Sequence, residues 1–86
     1  MVLLVTLASC EDRDSVQGYE VLEQHVLKNR VGSSPDQWIE MMSHTGNWEK
    51  TGLIFQYDDD LEECEKAIAG MKRVNYAREY RCSPAN

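Results

Sequence analysis

The chain has 86 residues, 42% of them apolar and 28% charged, which is the balance of one small globular domain and excludes a disordered or membrane-embedded chain. A domain of this size buries only about 60% of the surface its unfolded form exposes, so its core is marginal and a covalent staple is useful. Fifteen acidic against nine basic residues give a net charge of −6, which excludes a nucleic-acid partner that needs a basic footprint.

The first segment, Met1 to Ser9, is an apolar run followed by Cys10. It is far shorter than the roughly twenty residues a spanning helix requires. Its composition is that of a signal-peptide h-region ending in small residues. The string Leu7-Ala8-Ser9-Cys10 resembles the lipobox of bacterial lipoproteins. That resemblance implies cleavage before Cys10 and lipidation of its sulfur and new amino group. The run lacks a preceding Lys or Arg, a departure from the pattern. Residues 1–9 therefore read as a signal segment, lipoprotein-type or plainly cleaved, with residues 10–86 as the mature domain. The alternative is that Val2 to Leu7 forms the buried first strand of a cytosolic domain.

Behind a polar tether, Val16, Tyr19, Leu22 and Val26 recur at helical spacing and predict a helix over about 15–31, capped by Gly32. His25 borders that stripe and reads as a packing residue. Ser34-Pro35-Asp36-Gln37 has the form of a capping box, with proline at the first helical position. It predicts a second helix over about 35–44, with Trp38, Met41 and Met42 on one side. Those three residues are either core or a soft partner-binding surface.

Trp48 to Tyr57 predicts a strand whose Leu53-Ile54-Phe55 stretch is apolar on both faces, the mark of a central and covered strand. Asp60 with Glu63 predicts a helix start. The helix runs over about 60–73, with Leu61, Cys64, Ile68 and Met71 on its apolar face. Tyr76 to Cys82 alternates and predicts a closing strand. The fold class is thus α+β, two helices followed by a β-α-β unit. Its strands should run parallel and end at one edge of the sheet, where the helix begins. Cys64 and Cys82 both fall at that edge and are expected to form a disulfide. Pairing them also resolves the odd count of three cysteines if Cys10 carries lipid.

From Asp58 to Glu65 there are six acidic residues and no basic one, and from Lys66 to Arg81 five basic and one acidic. This sign change matches a helix dipole and a solvated face. The acidic string lacks the glycine and glutamate of a calcium loop, since those places hold Glu63 and Ala69. His25 and His44 lie far from the cysteines, so no metal or other cofactor is expected.

The segments Trp48-Glu49, Leu53-Ile54-Phe55, Tyr57-Asp58-Asp59, Cys64 and Tyr80-Arg81-Cys82-Ser83-Pro84-Ala85-Asn86 are similar to those of a loose group of small exported bacterial and phage proteins. The resemblance covers under half of the chain. It implies export and a disulfide, and carries no activity and no functional residue.

No nucleophile elbow, phosphate loop or metal signature is present, so a non-enzymatic role is expected. The leading expectation is a binding or accessory protein of the bacterial cell envelope: a small complex subunit, or an inhibitor, immunity or exclusion-type lipoprotein. Its partner would be a protein, basic or membrane-embedded, and Cys10 would supply the membrane tether. The alternative is a cytosolic regulatory or interaction domain. Two strands rarely stand alone, so the exported form would need a homodimer or a docked partner to complete its sheet.

Overall fold

The computed structural model describes residues 18–86. The readings of Val2 to Leu7 as strand or leader, and of Cys10 as a lipid site, lie outside those residues. The described chain runs as helix α1 (residues 18–28), β1 (Gln37–Met42), β2 (Trp48–Ile54), α2 (Asp60–Val74) and β3 (Tyr80–Pro84). The three strands form one antiparallel sheet in the order β2-β1-β3.

The largest departure from expectation is β1, a strand where a helix over 35–44 is predicted. Gln37-Trp38-Ile39-Glu40-Met41-Met42 shows no polar/apolar alternation because both faces of the central strand are covered. Trp38 packs with Val26 of α1 and Ala85, while Ile39 packs with Cys64 of α2 and Tyr80. The sheet is therefore a middle layer between the two helices.

The capping signature ahead of β1 is spent on other bonds. Ser34 Oγ donates to Asp60 Oδ2 at 3.0 Å and accepts from the Asp60 amide at 3.2 Å. It thereby ties the α1–β1 loop to the start of α2. Asp36 takes the Val31 amide at 3.0 Å. Gly46, expected to stop a helix, lies in the turn between β1 and β2 with φ 88°, a left-handed conformation that favours glycine. Its amide donates to Ser43 O at 3.0 Å, and Ser43 N donates to Asn47 O at 2.8 Å.

The other boundaries move less. The strand predicted over 48–57 as central ends at Ile54 and lies at an edge of the sheet, the central place being that of β1, and Gln56 takes φ 73°. The strand predicted over 76–82 begins only at Tyr80 and extends to Pro84. A turn closed by Arg78 N to Asn75 O, at 2.9 Å, occupies the residues before it. The α2 helix starts one residue earlier in its cap than expected. Asp59 is the N-cap and takes the Glu62 amide at 3.1 Å. Asp60, inside the first turn, instead accepts from Tyr57 N at 2.9 Å. Acidic residues fill the first turn of α2, and Lys72 and Arg73 the last, matching the helix dipole.

The predicted β-α-β relation survives in altered form. β2 and β3 are both antiparallel to β1, so they run the same way with β1 between them. Ile54 and Pro84 both face Gln37, one on each side. The common edge is therefore real, although the two strands are not neighbours. Cys64 and Cys82 meet near it as a disulfide, with Cα atoms 6.2 Å apart.

Asn86 fastens the opposite layer. Its Oδ1 accepts from Asp36 N at 2.9 Å and from Arg30 Nε at 3.2 Å. Its Nδ2 donates to Val26 O at 2.9 Å and to Asp36 Oδ2 at 3.0 Å. One side chain thus binds α1, the loop after it and the entry to β1.

Candidate functional site

Strand alternation separates the three residues that the sequence groups as a partner surface. Trp38 is 6% exposed and lies in the layer under α1. Met41 packs on the α2 side against Ile39, Cys64 and Tyr80. Met42 is half-buried at the end of β1. Cys64 is fully buried, with Ala67, Ile68 and Met71 of α2 in the same cluster. Leu61, predicted on the same apolar face, stays exposed.

On the α1 side the sheet carries a polar network centred on Glu40, 6% exposed on the central strand. Its Oε1 accepts from Arg81 Nε at 2.6 Å and its Oε2 from Ser83 Oγ at 3.0 Å. Lys50 Nζ lies 3.9 Å from Glu40 and 2.8 Å from Glu23 of α1. A bulge in β2 makes this possible. The register shifts between Ile39 and Glu40, which turns Lys50 toward Glu40 although Leu53, three residues on, faces Trp38 on the same side. The two cations also sit over indole rings: Lys50 is 5.9 Å from the Trp38 centroid and Arg81 4.3 Å from that of Trp48. A small pocket of about 250 Å³ opens beside them, bounded by Glu23, Leu27, Trp38, Glu40, Lys50 and Ser83.

Burial pushes the Glu40 carboxyl up, but bonds from Arg81 and Ser83 and the charges of Arg81 and Lys50 outweigh it and hold it below its ordinary 4.5. A carboxylate depressed in the folded state stabilises the fold above its unfolded pKa, and that contribution is lost as pH falls through the folded value. Glu40→Gln should therefore cost about 2 kcal/mol at neutral pH, the scale of a charge-assisted hydrogen bond. The difference from the parent chain should shrink as pH drops below 4.5. Urea unfolding of both chains across that range measures it, and a pH-independent difference would remove Glu40 as its source. The Lys50 ammonium is held above its ordinary value, chiefly by its hydrogen bond to Glu23.

A second pocket, about 230 Å³, lies between α1 and the end of β2. Leu22, Val26, Val31, Leu53 and Phe55 give it apolar walls, and His25, Asn29 and Asp36 complete the lining. Leu22, Val31 and Phe55 are exposed large apolar residues gathered at this one place. Asp36 is 1% exposed, and its Oδ2 is saturated by Val31 N and Asn86 Nδ2. Its Oδ1 is buried with no hydrogen-bond partner among the described residues. An orphaned buried acceptor costs roughly 1–3 kcal/mol and calls for an explanation.

Sequence reasoning did not single out Glu40, Asp36 or the Leu22–Val31–Phe55 grouping. The one sequence signal for the last is Phe55, an aromatic residue closing an apolar strand run directly before a polar turn. Among the described residues no group of three or more His, Cys, Asp or Glu side chains is placed to hold a metal ion. None of the described helices is long and apolar enough to cross a membrane. No family model matches the chain, and no curated protein or solved structure matches it either.

Proposed function

We propose that the chain is a non-catalytic binding or accessory protein of the bacterial cell envelope, held at the membrane by a lipid on Cys10. It serves there as a small complex subunit or as an inhibitor, immunity or exclusion factor. The observation that carries the binding role is the exposed apolar rim of Leu22, Val31 and Phe55 around a pocket with almost wholly apolar walls. Exposed apolar residues gathered around a concavity are the usual form of a protein-binding patch.

The Cys64–Cys82 disulfide supports the compartment, because such bonds persist where the surroundings are oxidising. The third strand supports it as well. Among the described residues the sheet has three strands within residues 37–84, covered on both faces, where two would rarely stand alone. The exported form is therefore not left with two strands alone.

Protein recovered from its native host should give an intact mass showing cleavage before Cys10, an added acyl mass and the loss of two thiol hydrogens. Crosslinking in native membranes should recover it joined to a partner, with the yield reduced by Phe55→Asp. A soluble, solitary chain with Met1 intact and three free thiols defeats the proposal.

A further inference from the structure

We propose, resting on the envelope assignment above, that the α2–β3 turn is a landing tip that lies on an anionic lipid surface and orients the domain there. Residues 72–79 are all exposed. They contain three cations, Lys72, Arg73 and Arg78, and one acid, Glu79. Among them stand Val74, 79% exposed, and Tyr76, 90% exposed, the two most exposed large apolar residues of the described chain. Neither belongs to the two core clusters. Side chains that bury so little do little for the fold, and tyrosine beside basic residues is the usual composition of a headgroup-level anchor.

The cations are available. Among the described residues the ion pairs engage Lys50, Lys66 and Arg81, and none engages Lys72, Arg73 or Arg78. Arg78 Nη1 donates to the Met41 sulfur, a weak acceptor, at 3.0 Å.

A chain of net charge −6 would be repelled by an anionic surface unless its charges were separated. They are. Asp60, Glu62 and Glu63 open α2, and Lys72 and Arg73 close it, at opposite ends of 15 residues. At 1.5 Å per residue that is about 22 Å, against a screening length of about 8 Å at physiological salt. The tip therefore meets a surface with its own positive charge, and the acidic end is screened from it. Glu49 stands at this end too, but on β2, at the opposite edge of the sheet from β3.

The amino-terminal tether arrives from the same end. Tyr19 Oη accepts from Lys50 N at 3.4 Å and Glu23 reaches Lys50 Nζ, level with Glu40 of β1. Val26 packs with Ala85, beyond the Gln37 end of β1. Helix α1 thus begins toward the Met42 end, where Met42 N donates to Glu79 O at 2.9 Å and ties β1 to the tip. Residues 10–17 join a lipid on Cys10 to Gly18 and reach at most about 28 Å, a leash that keeps this end of the fold against the membrane. An acidic protein segment would also meet the cations. The tether at the same end, and apolar side chains that stand out from the fold instead of lining a cleft, favour lipid. With the tip down, the Leu22–Val31–Phe55 rim, beside the Ile54 end of β2, faces away from the membrane toward a partner.

The isotopically labelled full chain, in its disulfide form, is mixed with phosphatidylcholine nanodiscs, with or without phosphatidylglycerol, that carry a gadolinium-chelate headgroup. Amide signals of residues 72–79 should be attenuated only on discs containing phosphatidylglycerol, and high salt should abolish the effect. Lys72→Gln with Arg73→Gln should weaken the phosphatidylglycerol-dependent binding roughly twentyfold, at about fivefold for each cation. Tyr76→Ser should weaken it severalfold, and Lys28→Gln, at an exposed cation on α1, should leave it unchanged. All four sites are exposed, and melting curves like the parent's establish that each variant folds. Attenuation at 72–79 that is absent, or equal on neutral discs, overturns the inference. So does an equal loss on Lys28→Gln, or a stronger response of the tip to soluble polyglutamate, which would assign it to an acidic protein. If native protein carries an acyl mass and the tip ignores phosphatidylglycerol, this inference alone fails. If the tip responds to phosphatidylglycerol but native protein keeps Met1 and three free thiols, the lipoprotein assignment alone fails.

Discussion

Replacing Cys64 and Cys82 together by alanine should lower stability by about 3 kcal/mol, the chain-entropy value for a loop of this length. The two residues are 18 apart in sequence, and the bond joins the first turns of α2 to β3 at the sheet edge. A domain this small has about 5–15 kcal/mol in total and the lower part of that range applies to it. The melting temperature should therefore fall by about 15 °C. Reducing the parent chain should reproduce most of that fall, and the doubly substituted chain should be insensitive to reductant. If reductant leaves the parent's melting curve unmoved, the bond contributes no stability. Cys64 is also fully buried among Ile39, Tyr80 and the α2 side chains, so its replacement by a residue larger than alanine would add overpacking to the loss.

Trp38→Ala should cost about 3–5 kcal/mol, the usual range for emptying a buried large aromatic site. Trp38 joins Val26 and Ala85 in one cluster with Leu53 packed against it, so its removal loosens α1 from the sheet. Lys50 would lose the ring beneath its ammonium at the same time. Chemical denaturation gives the magnitude. Amide exchange gives the location: protection should fall first in α1 and at Leu53, while α2 keeps its own contacts with Ile39 and Tyr80. Uniform loss of protection across both helices would mean that the two layers do not separate as described.

The sequence makes α2 legible because its signals are local. Acidic residues open it, Asn75 closes it, and Cys64, Ile68 and Met71 fall on the buried stripe. The disulfide follows from the same local reading plus one topological rule, and the rule survives the insertion of β1 between the two parallel strands. β1 itself is illegible for a physical reason. A strand covered on both faces loses the alternation that identifies strands, and Glu40 in its middle imitates the solvent face of a helix. The carboxylate is instead buried because Arg81 and Ser83, about forty residues away, reach it from β3. No local pattern encodes that pairing. The pocket between α1 and β2 is hidden in the same way. Asp36 belongs by spacing to a capping motif, and only Asn86, fifty residues on, fixes which of its oxygens is occupied.

The place of β1 between its neighbours also governs the order in which the chain can assemble. β2 returns along β1 after a short turn, so that pair closes at small entropic cost and forms an early hairpin. β3 must come back to the other side of β1 from beyond the whole of α2, with Trp38 meeting Ser83 and Met41 meeting Tyr80. That distant pairing makes a larger demand on chain entropy than the hairpin does. Until it is made, one edge of β1 stands open. A neighbouring copy of the chain can supply β3 as well as the chain itself can, so crowded refolding should yield exchanged dimers before it yields amorphous aggregate.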